Sequence, residues 1–136
     1  MSLPAVEYAD LELWLCAYLR PHLTAWSPLV DRRFPAPGWT PGFAVVVRDD
    51  SGLDRSVVTA GRSVGCTAIG PESEWQRVRG LAERVATLLR TSPAPGDASP
   101  VAACEGVRGP YSLDATGRAE FYLTASLVVV GTPATL

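Results

Sequence analysis

The chain has 136 residues, of which 47% are hydrophobic and 19% are charged. This length and apolar content suffice for one domain with a single core, over residues 1–136, and they argue against a disordered chain. The formal charge of −2 argues against non-specific binding of nucleic acid, which needs a clustered basic surface. All 12 basic residues are arginines, and they are scattered along the chain.

No apolar run approaches the roughly 20 residues that a membrane-spanning helix needs. The N-terminus lacks the basic stretch and apolar run of a secretory signal, so we expect synthesis in a cytoplasm and no membrane partner. The three cysteines, Cys16, Cys66 and Cys104, are widely spaced, and the single histidine, His22, has no neighbour at ligand spacing. The sequence therefore predicts no metal site and reduced, mostly buried thiols.

The sequence lacks the short motifs that carry common enzyme chemistry. There is no glycine-rich phosphate loop and no GxSxG nucleophile elbow, and His22 follows a helix in a proline-rich stretch. Nothing assembles an acid, a base and a stabilising group. We therefore expect no catalytic site and no cofactor.

Residues 4–19 are predicted to form the first helix. Pro4 suits its first position, and Arg20-Pro21 would end it. At helical spacing, two apolar stripes lie on nearly opposite sides, one of Leu11, Trp14, Leu15 and Tyr18, the other of Val6, Leu13 and Ala17. The second stripe indicates either a helix wedged within its own domain or a helix face that meets another subunit.

Residues 22–42 are rich in proline and aromatic residues. This composition predicts a loop, with at most a short extended piece over residues 29–34. The rings of Trp26, Phe34 and Trp39 would either fasten the loop to the core or, if exposed, mark a contact surface.

Residues 43–48 and 62–69 are predicted to pair as two strands, joined by a long arm over residues 49–61. Gly65 in the second strand leaves room for a ring or another backbone to approach. The arm carries Asp49, Asp50 and Asp54. Acids in this setting are typical of a solvated turn, although a cation or acid–base site is an alternative.

Residues 75–90 show the clearest helical period in the sequence. The apolar arc consists of Trp75, Val78, Leu81, Ala82, Val85, Leu88 and Leu89. Ser73 and Gln76 fit a capping box before this helix. The pattern predicts a helix that lies on a sheet with its polar face in water.

Two further strands are predicted after a loop at residues 91–100, one over residues 101–107 and one over residues 119–130. The element order is helix, strands, helix, strands. Paired strands of this kind predict an α+β fold, with a mostly antiparallel sheet and two helices packed on it.

The order and composition of these elements are similar to those of a known protein family. The pieces are an acidic-glycine turn (48–52), a return strand (63–69), a helix rich in Ala, Leu and Arg (75–90), the segment GPYSLD (109–114), a Gly-Arg turn (117–118) and the ending VVVG (128–131). This arrangement resembles the tail-terminator, or tail-completion, proteins of siphophages, especially those of GC-rich actinobacterial hosts. The resemblance spans roughly residues 1–131.

The resemblance implies a structural protein of the virion. Tail terminators form a ring, usually hexameric, on the finished tail tube, where they stop polymerisation and present a surface to the head–tail connector protein. The expected partners are other copies of the chain, the tail tube protein and the connector, while DNA passes through the lumen without specific binding. The candidate subunit-contact residues are Val6, Leu13, Ala17, Trp26, Trp39, Asp49, Asp50, Asp54 and Arg55.

Two other classes of protein remain open. Another neck component or minor tail protein of the same machinery would share the ring arrangement, and gene neighbourhood would separate it from a terminator. A small cellular enzyme or ligand-binding α+β domain would instead reveal itself by a deep polar pocket or a bound small molecule.

Overall fold

The computed structural model describes residues 4–35, 42–114 and 117–135. Within these ranges lie two α-helices, α1 (Leu11–Leu19) and α2 (Trp75–Arg90). The strands are β1 (Pro4–Glu7), β2 (Leu29–Asp31), β3 (Ala44–Asp49), β4 (Thr59–Pro71), β5 (Val101–Leu113), β6 (Arg118–Val130) and β7 (Thr132–Thr135). Short 3₁₀ turns occupy Arg20–His22, Glu72–Glu74 and Gly96–Ala98.

Five strands form the main sheet in the order β2-β3-β4-β6-β5. The pair β2–β3 is parallel and the other three pairs are antiparallel. β1 and β7 form a separate antiparallel pair. The predicted α+β fold, with its order of helix, strands, helix and strands, is confirmed.

Both helices contribute to one core with the same face of the sheet. Leu15 of α1 and Leu81 of α2 join Val47, Cys66 and Leu123 in this cluster, and all five are at most 1% exposed. A second, small cluster of Ala44, Val46 and Ile69 lies on the other face. We call that second face, which neither helix covers, the open face.

Helix α1 is shorter than the sequence pattern predicted. Asp10 caps it, since its carboxylate accepts a hydrogen bond from the Leu13 N–H at 3.0 Å. This bond, and next a hydrogen bond from Arg32, lower the pKa of Asp10. The prediction of helix for residues 4–7 was wrong because these residues pair with the C-terminal strand, with Val6 opposite Pro133.

Helix α2 confirms the predicted buried arc but not the predicted cap. All members of the arc are buried except Trp75, which is 38% exposed and lies edge-on to Phe121 at 4.9 Å. The capping box of Ser73 and Gln76 was wrong, because a 3₁₀ turn precedes the helix and no side chain caps it. Glu74 instead pairs with Arg77 at 3.1 Å.

The last two strands form a long antiparallel pair. β6 alternates between buried and more exposed residues as predicted, with Phe121, Leu123 and Leu127 on the buried side. The strand predicted over residues 101–107 continues to Leu113, because its pairing with β6 resumes after register shifts, including one between Arg108 and Tyr111.

Gly70 of β4 is predicted to be a sensitive position for stability. An added Cβ would lie 2.5 Å from Val78 Cγ2 and 2.8 Å from Phe43 Cδ1. Gly70→Ala should therefore lower the free energy of unfolding by about 1–3 kcal/mol through overpacking. Gly106→Ala is the matched control, since its Cβ would meet open space, and we expect a change within about 0.5 kcal/mol. Equal shifts in the urea midpoints of the two variants would contradict this packing.

Candidate functional site

The predicted contact residues do not converge on one site. They separate into the outer face of α1, the loop before β2, and the connection between β3 and β4. Val6 lies apart from all three, half-buried on β1. Trp39 lies outside the described residues.

The outer face of α1 is open. Leu13 is 59% exposed and Ala17 is also exposed, whereas Leu15 and Leu19 on the opposite side are fully buried. Trp14 and Tyr18 stack with ring centroids 5.0 Å apart on the half-buried flank between these faces. Two residues of the second predicted stripe, Leu13 and Ala17, therefore lie on one exposed surface of α1. The third, Val6, is not on the helix.

Trp26 is engaged within the chain. Its Nε1–H donates a hydrogen bond to the Arg77 carbonyl at 2.9 Å, and the Arg84 guanidinium lies 5.6 Å from its ring centroid. The half-buried ring thus fastens the loop before β2 to α2. This arrangement fits the first of the two roles that the sequence left open for the aromatic residues of this loop.

Residues 50–58, between β3 and β4, form an ordered arm. Its backbone is fixed by hydrogen bonds from Asp50 N–H to the Ser63 carbonyl at 2.8 Å and from Gly61 N–H to the Leu53 carbonyl at 2.9 Å. Despite this order, Leu53 and Val57 are each 85% exposed. The arm is therefore a preorganised segment that displays apolar side chains to solvent.

The charged residues at the arm differ in how they are paired. Asp49 lies 3.8 Å from the Arg62 guanidinium, and Asp50 accepts a hydrogen bond from Arg48 Nε at 2.7 Å. Arg55 forms a bidentate pair with Glu105 of β5, with Nη1 donating to Oε2 at 2.8 Å. Asp54 is exposed and forms no salt bridge with any side chain in the described parts of the chain.

These pairings do not support the alternative of a cation site at the arm. Asp49 and Asp50 already face arginines, so their charge is compensated within the chain. Among the described residues, no group of three or more His, Cys, Asp or Glu side chains is placed to hold a metal ion.

Sequence reasoning missed a cationic pocket at the β2 edge of the open face. It has a volume of about 250 Å³, and its described lining includes three arginines and no acid: Arg32, Arg33, Phe34, Val46, Arg48, Gly65, Thr67 and Tyr122. Two of these arginines form salt bridges with acids outside the pocket lining, Arg32 with Asp10 at 2.8 Å and Arg48 with Asp50. We call this the arginine pocket.

The floor of the arginine pocket explains why β4 has a glycine there. The Tyr122 ring lies over Gly65, and an added Cβ would come within 2.6 Å of the Tyr122 hydroxyl oxygen. The same hydroxyl accepts a hydrogen bond from Arg48 Nη2 at 3.3 Å, which leaves its own proton free to donate. The only sequence signals of this site were the adjacent pair Arg32-Arg33 and the glycine in a buried strand.

The thiols differ in accessibility, which gives a chemical prediction. Burial raises the pKa of Cys66 to about 12 and raises that of Cys16, whereas Cys104 is half-buried on the edge strand β5. Since the thiolate is the nucleophile, iodoacetamide at pH 8 should modify Cys104 at least about tenfold faster than Cys16 or Cys66. Peptide mass spectrometry over time measures this, and equal rates in the folded protein would contradict the core assignment.

The described residues form a two-layer α+β fold with several separate exposed surfaces. No protein-family model and no curated protein matches the chain. In the described part of the chain, neither helix has the length and apolar character needed to cross a membrane.

Proposed function

We propose that this chain is a siphophage tail terminator, which closes into a ring on the end of the tail tube and stops its growth. The ring would then present the surface on which the head–tail connector protein joins. The proposal rests on the resemblance in element order and on the exposed surfaces of the subunit.

The observation that carries the proposal is the display of apolar side chains at two unlike places. Leu13 and Ala17 lie on the outer face of α1, and Leu53 and Val57 lie on the arm. A closed ring of identical subunits uses head-to-tail contacts, so each subunit needs two different adhesive surfaces. Large apolar side chains held in water on ordered elements are typical of such contacts.

The charge of the chain fits passage of DNA through a ring. A net charge of −2 without any lysine gives no general attraction to phosphate. Several arginines are moreover paired with carboxylates of the same chain, at distances such as 2.8 Å for Arg32 and Asp10. DNA would therefore cross the lumen without being held there.

Electron microscopy of tail tubes tests the proposal. Tubes assembled from the tail tube protein of the same phage genome are mixed with the gold-labelled chain and imaged in negative stain. We expect one ring of label at a single end of each tube. Label along the tube wall, or no label on tubes at all, would contradict a terminator. Label at the end with undiminished tube growth would favour another neck component.

A further inference from the structure

We infer that the arginine pocket receives the arm of a second copy of this chain, with the Asp54 carboxylate of one copy placed among Arg32, Arg33 and Arg48 of the next. This inference rests on the proposed ring, and it places the pocket, which adjoins α1 through the Arg32–Asp10 pair, in the same contact as the outer face of α1.

The arm and the arginine pocket are separate surfaces, although Asp50 at the start of the arm holds Arg48 of the pocket. The pocket is built from the loop after β2 and from β3, β4 and β6, toward the β2 edge. The arm leans the other way, because Arg55 is tied to Glu105 on the edge strand β5. No residue of the arm lines the pocket, so a subunit does not fill its own pocket with its own arm.

The two surfaces are complementary in charge. Arg33 lines the pocket and, among the residues described, pairs with no carboxylate. Asp54 on the arm likewise lacks a cationic partner within its own chain, over the same residues. Guanidinium groups with free donors bind carboxylates through charge-assisted hydrogen bonds, so each surface supplies what the other lacks.

The acids behind the pocket prepare it for an incoming carboxylate. Asp50 engages Nε and Nη2 of Arg48, at 2.7 and 3.3 Å, which fixes the guanidinium and leaves Nη1 for another acceptor. Asp10 holds Arg32 through one nitrogen, Nη2, at 2.8 Å, and the Glu12 carboxylate lies 3.7 Å from its Nε. The side chains are thus ordered before contact, which reduces the entropy lost on binding.

The pocket also offers apolar surface for the arm. Phe34, which is 54% exposed, lies on its wall, above the buried Val46. Leu53 precedes Asp54 on the arm and is 85% exposed. Leu53 beside Asp54 on the arm is therefore complementary to Phe34 beside the arginines of the pocket.

Because the arm and the pocket are different surfaces, this contact is head-to-tail. Each copy that gives its arm to one neighbour leaves its own pocket open to another. Contacts of this type add further copies until the assembly closes into a ring, or they produce an open filament.

A charge swap tests the inference. We expect Asp54→Arg and Arg33→Glu each to weaken assembly at least about tenfold, measured by light scattering as the concentration for half-assembly, or as occupancy of tube ends if rings form only there. The double variant restores an opposite-charge pair in every contact and should recover to within about threefold of the unmodified chain. Asp97→Arg, which alters another exposed acid, is the matched control and should change nothing.

The outcomes separate this inference from the proposed function. If the unmodified chain caps tubes and both single variants cap them equally well, the arm–pocket contact is wrong and the terminator role stands. Loss of assembly in the single variants without recovery in the double variant also overturns the contact. If the unmodified chain neither assembles nor caps tubes, both proposals fail.

Discussion

Replacing Leu13 by arginine should leave the chain folded while strongly weakening its proposed assembly on tail tubes. Leu13 is 59% exposed on the outer face of α1, so an arginine there remains solvated in the isolated chain. Inside a subunit contact the same charge would be buried without a partner. We expect assembly to weaken at least about a hundredfold, equivalent to about 3 kcal/mol.

Two control variants show which surface is responsible. Gln76→Arg adds the same charge on the exposed face of α2 and should leave folding and assembly unchanged. Leu15→Arg, at a fully buried position on α1, should unfold the chain. Circular dichroism reports folding, and light scattering or tube capping reports assembly. A folded Leu13→Arg variant with normal capping would remove this face from the contact.

Replacing Leu81 by alanine should cost about 2–5 kcal/mol of unfolding free energy, a large part of the stability of a small domain. Leu81 is fully buried on α2, in the core that includes Phe121 and Leu123 of β6. Truncation there leaves a cavity between helix and sheet. Urea denaturation followed by circular dichroism measures the loss.

The matched control for Leu81 is Arg79→Ala on the exposed side of α2. Its only carboxylate contact among the described residues is Glu83 at 4.0 Å, so we expect a change within about 0.5 kcal/mol. Arg84 is a less suitable control, although it lies on the same exposed side, because its guanidinium packs over Trp26 and donates to the His22 carbonyl. Equal losses for Leu81→Ala and Arg79→Ala would mean that the helix is turned the other way.

The parts of the fold that the sequence predicted are those with a long local period. The arc from Val78 to Leu89 on α2 and the alternation from Phe121 to Val129 on β6 each repeat over several turns or residue pairs. Neither pattern depends on contacts with residues that are distant in the sequence. Packing of both elements on one core follows from these two buried faces.

The errors arose where distant residues decide the local structure. Residues 4–7 have a composition compatible with helix, yet they form β1 because β7 supplies backbone partners more than 120 residues away in the sequence. The capping box failed because the chain tightens into a 3₁₀ turn before Trp75. Propensity is a weak predictor wherever tertiary contacts supply the hydrogen bonds.

The candidate contact surfaces were predictable only in part. The second apolar stripe left two interpretations open, and the structure shows two of its three residues, Leu13 and Ala17, exposed on α1. The arginine pocket was not predictable, because its three arginines come from the loop after β2 and from β3, and Tyr122 comes from β6. The spacing of these residues along the sequence gives no sign that they meet in the folded chain.

The length distribution of tail tubes shows whether this chain stops tube growth. Tail tube protein is polymerised with and without an equimolar amount of this chain, and tube lengths are measured by negative-stain electron microscopy. A terminator predicts short tubes that stop growing once capped and do not resume when fresh tube protein is added. Tubes that grow equally long in its presence, and extend again on addition of tube protein, would contradict a terminator role.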